Sequence, residues 1–296
     1  MSSIAAGFVR AVTGFKALTP KLYRKDMADK SDKGTISLPK SARFPRPVFE
    51  YRVDGMQVFE VPAAERDKPV VLYLHGGAYV HGFTGFHWKT MAQLASETGC
   101  GFIVPNYPLL PLHTARECYL LVMKLYSNLL ESVDASRIVF MGDSAGGGLA
   151  LSIAEGAKTN GMALPSKMVL ISPWVDVLGG DDSLQPEDNW LYCDTLRKFG
   201  RDWAGDLDPH SAAVSPLYGE VSGLPECLVF SGDWEVLYPD TAKMVGKLRK
   251  AGVPVDFHVG HKLGHVYPLY PAPEGREARG IIVDFLSKDA GNRKLF

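Results

Sequence analysis

A serine sits between glycines in Gly142-Asp143-Ser144-Ala145-Gly146, where an apolar run ends and a Leu- and Ala-rich run of helical character begins. G-x-S-x-G on a strand-to-helix turn holds a hydroxyl above a sheet as a nucleophile. Glycines on either side let the chain pass that turn without side-chain clashes. A phosphate-binding loop would need a Lys-Ser or Lys-Thr pair after its glycines, and none follows here. The spacing does not fit a dinucleotide G-x-G-x-x-G either. A glycine-rich turn that only packs a helix onto a sheet remains the plain alternative, so the other parts of a nucleophilic site have to be found elsewhere.

A serine nucleophile acting on a carbonyl makes an oxyanion, which needs aimed N–H donors. His75-Gly76-Gly77-Ala78 ends the apolar run "VVLYL". Its two glycines can turn their N–H groups inward with nothing in the way. With the N–H of Ala145, which is expected at a helix N-terminus, Gly76 and Gly77 are the candidate oxyanion donors. His75 itself reads as a structural residue holding this loop.

A general base should follow the last strand in chain order. Of the 8 histidines, His258 alternates within that strand and reads as a wall or surface residue. His261 and His265 lie in the loop after it. His265 is preferred, because it follows Gly264 and precedes an apolar segment that would fix its height. The acid that orients the base should lie after the strand "ECLVFSG", where Asp233, Glu235 and Asp240 stand. Asp240 reads as a helix cap. The residues alone leave Asp233 and Glu235 open.

The elements that must hold these groups alternate. "VFEYRVDGMQVFEV" predicts a hairpin turning at Asp54-Gly55. Strands are then predicted at "VVLYLHGG", "CGFIVPNYPL", "SRIVFMGDS", "SKMVLISPW", "ECLVFSGD" and "VPVDFHVG". Between or after them come helices at "HWKTMAQLASETG", "TARECYLLVMKLYSNLLES", Ala145 onward, "DTAKMVGKLRKAG" and "PEGREARGIIVDFLSK". This rhythm predicts an α/β fold: a mostly parallel sheet covered by helices on both faces, with ligands at the carboxyl ends of the strands. Residues 175 to 224 break the rhythm and carry Trp190, Tyr192, Phe199 and Trp203. So long a structureless loop would be unusual, and an inserted helical lid over the strand ends is expected. Residues 21 to 46 read as a loose connector or flap. Ile4, Phe8, Val12 and Phe15 fall on one face of a helix that should end before Pro20 and pack on the domain.

Bulk composition excludes several classes. A net charge of -1 over 296 residues offers no excess to neutralise a phosphate backbone, so no nucleic-acid partner is expected. No apolar run reaches the length of a membrane span, and the N-terminus lacks the pattern of a signal peptide. Cys100, Cys118, Cys193 and Cys227 stand far apart, with neither disulfide nor zinc spacing. They read as reduced thiols of a cytoplasmic protein, and no metal is expected.

Together, "HGGA", "GDSAGG", "NYPLLP", "SPWVD", "KLRKAGVPV" and a late histidine followed by an aromatic resemble the hormone-sensitive-lipase-like family of α/β-hydrolase esterases, from about Val70 to Leu286. The resemblance implies an α/β-hydrolase fold with a helical lid. It divides the chain into an N-terminal segment, 1–46, contributing to the lid, and a catalytic domain, 47–296, with the lid insertion at about 175–224. It implies a serine carboxylesterase for short- to medium-chain acyl esters, working through an acyl-enzyme and without cofactor. Laid on "EVLYPDT", the family's acid segment implies Glu235 rather than Asp233. The triad implied is therefore Ser144, Glu235 and His265. Ile4–Phe15 and the Trp190–Trp203 region are implied as pocket wall. Ala78 departs from the family's third glycine. An amidase or deacetylase of a small acetylated metabolite is the alternative within enzymes, and a non-catalytic ligand-binding relative is the alternative outside them. A small-molecule ester is the expected partner. A homodimer is left open.

Overall fold

The computed structural model describes residues 18–31, 33–188 and 190–288. The helix expected over Ile4–Phe15 lies outside them. The first two strands, β1 (Phe49–Val53) and β2 (Met56–Val61), form the expected hairpin, and Asp54 and Gly55 supply the positive φ that its tight turn requires (45° and 89°). β3 (Val70–Leu74), β4 (Gly101–Pro105), β5 (Ile138–Asp143), β6 (Lys167–Ile171), β7 (Glu226–Gly232) and β8 (Val255–Gly260) complete one sheet. Its order is β1-β2-β4-β3-β5-β6-β7-β8, with β1, β2 and β4 joined antiparallel and all later pairings parallel.

Every residue of β3, β4, β5 and β6 is buried, as continuous apolar runs covered on both faces should be. β8 closes the sheet as a half-exposed edge. The crossovers β3 to β4, β4 to β5 and β5 to β6 are made by helices α2 (Gly85–Thr98), α3 (Ala115–Ser132) and α4 (Ala145–Thr159). Local signals set their ends. Gly99 closes α2 in the left-handed conformation, and Thr114 with Glu117 forms a capping box on α3. The chain leaves β3 towards β4 on one side and returns to β5 on the other. The carboxyl ends of β3 and β5, paired at Leu74 and Gly142, thus flank the point where the strand order reverses. In open α/β sheets that crevice is the binding site.

Between β6 and β7 lies an insertion built around α5 (Cys193–Ala204). Helix α1 (Pro20–Ala28), capped by Thr19, packs on it through Tyr23, whose ring meets Phe199 edge-on and whose hydroxyl donates to Asp202 at 2.8 Å. Residues 21 to 46 are therefore not a loose flap. Part is helix, and Ile36 and Arg46 are tied down. Gln57 exchanges hydrogen bonds with the Ile36 backbone, and Arg46 donates to the carbonyls of Pro62, Ala95 and Cys100. A basic, polar composition concealed this because the anchoring groups lie further along the chain.

Asp240 also departs from expectation. Helix α6 (Tyr238–Lys250) starts two residues earlier, with Leu237 as its cap and Pro239 in its first turn, where a missing N–H costs nothing. Asp240 instead accepts from the N–H of Gly180 at 2.8 Å and from Lys243, tying the insertion to α6. The final helix, α7 (Pro273–Ser287), lies beside α2.

One buried carboxyl has a consequence for stability. Glu155 on α4 is 3% exposed, and neither of its oxygens has a hydrogen-bond partner among the described residues. Burial pushes its carboxyl up to about 8, against the pull of Lys247 and Lys158 and with a further push from Glu220. An unfolded chain loses this proton near 4.5, so between pH 4.5 and 8 the unfolded state binds fewer protons than the folded one. Stability contributed by this group then falls as pH rises through that window and levels off above it. Glu155→Gln is expected to stabilise the protein by on the order of 2 kcal/mol at pH 7 in urea unfolding, the gain vanishing near the lower end of the window. A gain that does not grow with pH would contradict this.

Candidate active site

Ser144 joins β5 to α4 with φ 52° and ψ -121°, a strained turn for a residue with a side chain. Its N–H bonds to Ile171 on β6 at 2.8 Å, which pins the turn to the sheet. The turn also brings α4 so close that a Cβ at Gly146 would lie 2.0 Å from the Leu74 carbonyl, hence glycine there.

His265 Nε2 lies 2.8 Å from Ser144 Oγ, across 121 residues of chain. Its Nδ1 lies 2.5 Å from Glu235 Oε2. A carboxylate accepts only, so Nδ1 carries the proton and donates. Nε2 is then the lone pair facing the serine hydroxyl, the tautomer a general base needs. Ser231, at the end of β7, donates to the other Glu235 oxygen. Glu235 is fully buried and His265 nearly so. Burial disfavours the charged imidazole, but the charge and hydrogen bond of Glu235 outweigh it, aided by Asp188 and Asp143, and the net shift is upward from 6.5.

Asp233, the other acid in this loop, pairs elsewhere. Its oxygens take His261 Nδ1 at 2.8 Å and the Lys262 N–H at 2.6 Å, and the His261 side chain is 78% exposed. The structure thus sorts two histidines and two acids into a buried pair beside Ser144 and a surface pair. His258 lies on the edge strand with Asp256 at 3.1 Å.

Gly76 and Gly77 line the same cavity as Ser144 and His265. Ala145 is the first residue of α4, so its N–H has no intrahelical acceptor. Gly76 has no room for a side chain, because the Asp143 carboxylate lies 2.3 Å from where its Cβ would be. Asp143 is itself buried. Its oxygens accept from the Tyr73 hydroxyl at 2.6 Å and from His87 Nε2 at 3.2 Å. The Thr84 N–H donates to His87 Nδ1, which places the His87 proton on Nε2, facing Asp143. This Tyr73–Asp143–His87 cluster, which no motif marks, packs directly against Gly76 beside the serine turn. His75 is buried and stacked on Tyr107, and burial pushes its imidazole down to about 3, so it is a neutral strut rather than a base.

The base loop is fixed by three further groups to which the sequence assigned no role. Ser172, in "SPW", accepts from the Val266 N–H at 3.0 Å. Val266 has φ 53°, a costly conformation for a β-branched residue, held directly after His265. Tyr270 donates to the His265 carbonyl, and Arg279 donates to the carbonyls of Pro268 and Tyr270.

Ser144, His265, Gly76 and Gly77 face a cavity of about 280 Å³. Its apolar wall comprises Leu18, Ala78, Phe83, Trp190, Leu191 and Val266, and His81 and Thr84 add polar edges. No lysine or arginine lines it among the described residues. Trp190 and Leu191 come from the insertion. Trp203 does not line it. It stacks on Tyr79 at 4.0 Å between centroids and anchors α5 to the glycine loop from behind. No helix among the described residues is long and apolar enough to cross a membrane.

A family model described as the alpha/beta hydrolase fold matches residues 71–269. An esterase of Acinetobacter venetianus is 30% identical over 241 residues, 79% of this chain and 80% of that protein. An acetyl-hydrolase of Streptomyces hygroscopicus is 32% identical over 240 residues, 78% of this chain and 79% of that one. Among solved structures, an esterase of the bacterial hormone-sensitive lipase family superposes with a TM-score of 0.77 at 28% identity, covering 92% of this chain and 96% of that one.

Proposed function

The chain belongs to the alpha/beta hydrolase fold family, among its hormone-sensitive-lipase-like esterases, and on that premise we propose that it is a serine carboxylesterase in which Ser144, His265 and Glu235 are the catalytic residues. The observation that carries the assignment is the unbroken line from Ser144 Oγ, which faces an apolar cavity, to His265 at 2.8 Å and on to buried Glu235 at 2.5 Å.

Ser144 Oγ attacks the ester carbonyl carbon while His265 Nε2 takes the hydroxyl proton. Glu235 holds the ring and favours the imidazolium that results. The oxyanion is received by the N–H groups of Gly76, Gly77 and Ala145. Collapse expels the alcohol, which leaves with the proton from His265, and Ser144 keeps the acyl group. Water then gives its proton to Nε2 and attacks the acyl carbon, and the acid leaves as Ser144 recovers its proton. The leucine, phenylalanine and tryptophan wall, with no lysine or arginine among the described lining residues, suits the neutral short- to medium-chain acyl groups of the proposal. The four cysteines are buried free thiols, which suits a reducing, cytoplasmic setting.

Covalent labelling by a fluorophosphonate probe separates this enzyme from a ligand-binding relative: attachment at Ser144 is expected, and an unlabelled protein would remove the assignment. A series of p-nitrophenyl esters from acetate to octanoate, with a matching anilide, then reads chain length and separates ester from amide cleavage. A pH profile adds an independent check. Only neutral His265 can accept the proton, and its partners hold its pKa above 6.5. The acidic limb of kcat/KM is therefore expected above that ordinary value, with full activity on the alkaline side. A limb well below it would mean that the carboxylates do not govern the base.

A further inference from the structure

Asp188 belongs to the insertion, far in sequence from each part of the triad, and it is buried. Its carboxylate accepts three backbone N–H groups. Oδ1 takes those of Trp190 at 2.8 Å and Leu191 at 2.9 Å, and Oδ2 takes that of Val236 at 3.0 Å. The first two residues wall the cavity, and the third directly follows Glu235. A single side chain therefore joins the pocket wall to the acid loop. A second tie runs alongside, from the Asp181 N–H to the Val236 carbonyl at 2.9 Å. On its other side, the Trp190 ring lies 5.5 Å from that of Tyr270, which donates to the His265 carbonyl.

We propose that Asp188 is a positioning residue that couples the substrate-facing wall, Trp190 and Leu191, to the register of the Glu235–His265 pair. The inference rests on the esterase reading and deepens it, because whatever the acyl group does to the wall reaches the acid through three hydrogen bonds to one carboxylate. A wall serving only as apolar surface has no use for a buried acid. Here the acid is retained although burial raises its pKa, against the N–H bonds of Leu191, Val236 and Trp190 and the attraction of His265. The acids facing His265 are Glu235 from the acid loop, Asp188 from the insertion and Asp143 from β5, and all three favour its protonated form.

Asp188→Asn keeps the size and one acceptor oxygen but turns an amide NH2 towards one of the three donors. With p-nitrophenyl butyrate, kcat is expected to fall roughly tenfold to a hundredfold, as for a catalytic pair displaced by a fraction of an ångström. The butyrate-to-octanoate preference is expected to change, and the acidic limb of kcat/KM to move to lower pH. Trp190→Ala, which alters the wall and leaves the clamp, is expected to change chain-length preference without moving that limb. If Asp188→Asn does not fold, Asp188→Glu carries the test through kcat and chain-length preference, both of which must change. Wild-type protein is run in parallel. If it neither labels with fluorophosphonate nor turns over, the esterase reading fails. If it is active while the Asp188 variant keeps the wild-type limb and preference, the coupling is overturned. It is equally overturned if Trp190→Ala moves the limb as far as Asp188→Asn.

Discussion

Replacing Ser144 by alanine is expected to lower kcat for p-nitrophenyl esters by roughly 10⁴- to 10⁶-fold and to abolish fluorophosphonate labelling. The size follows from what the hydroxyl does. It forms the acyl-enzyme, and the one other hydroxyl residue among the described cavity-lining residues, Thr84, has its oxygen 3.3 Å from His87 Nδ1. The residual rate would come from the oxyanion donors and from binding, which the substitution leaves in place. The fold should survive. The turn at Ser144 is held by its N–H to Ile171 and by the glycines around it, all of which alanine keeps. A melting temperature near wild type therefore belongs to the expected result, and a folded Ser144→Ala protein that still turns over ester would remove Ser144 from the mechanism.

Glu235→Gln is expected to cost roughly 10³- to 10⁴-fold in kcat, while Asp233→Asn costs less than about tenfold. Glutamine in the buried site offers either an oxygen or an NH2 to His265 Nδ1. The NH2 orientation forces the proton onto Nε2, where it blocks acceptance from Ser144. The oxygen orientation restores the tautomer but leaves the imidazolium without its countercharge in a site where burial already disfavours it. The Ser231 hydroxyl also loses a charged acceptor. Asp233 sits at the surface, and its loss frees only His261 and the Lys262 N–H, both able to reach water. Kinetics of the two variants with one ester are enough, and the reverse ordering would transfer the acid role to Asp233.

The strands were legible because each is a short apolar run bounded by turn residues, and the helices because their apolar faces repeat. The hairpin at Asp54-Gly55, the αL stop at Gly99 and the cap at Thr114 are local events with local signals. The misread segments have their partners far away. Residues 21 to 46 looked loose because their anchors lie elsewhere in the chain: the carbonyls that Arg46 reaches and the Gln57 side chain that holds the Ile36 backbone. Asp240 looked like a cap because its true partner, the Gly180 N–H, lies in the insertion. Trp203 looked like pocket wall, but burial against Tyr79 depends on where α5 lands, which no periodicity states.

The sequence by itself determined the chemistry on offer: a serine on a glycine turn, a glycine pair at an earlier strand end, and histidines and acids after the last strands, in an order that a parallel sheet can gather at one edge. Motif resemblance favoured Glu235, but the residues alone left Glu235 and Asp233 equal. Only the tertiary structure decided which histidine met which acid, since the two candidate pairs differ in burial and in a few ångströms of loop position set by β7, β8 and the Ser172 tether to Val266. It alone revealed Asp143 behind the glycine loop and Asp188 behind the pocket wall. Their roles reside in hydrogen bonds to groups distant in sequence, and such bonds leave no pattern in the chain that makes them.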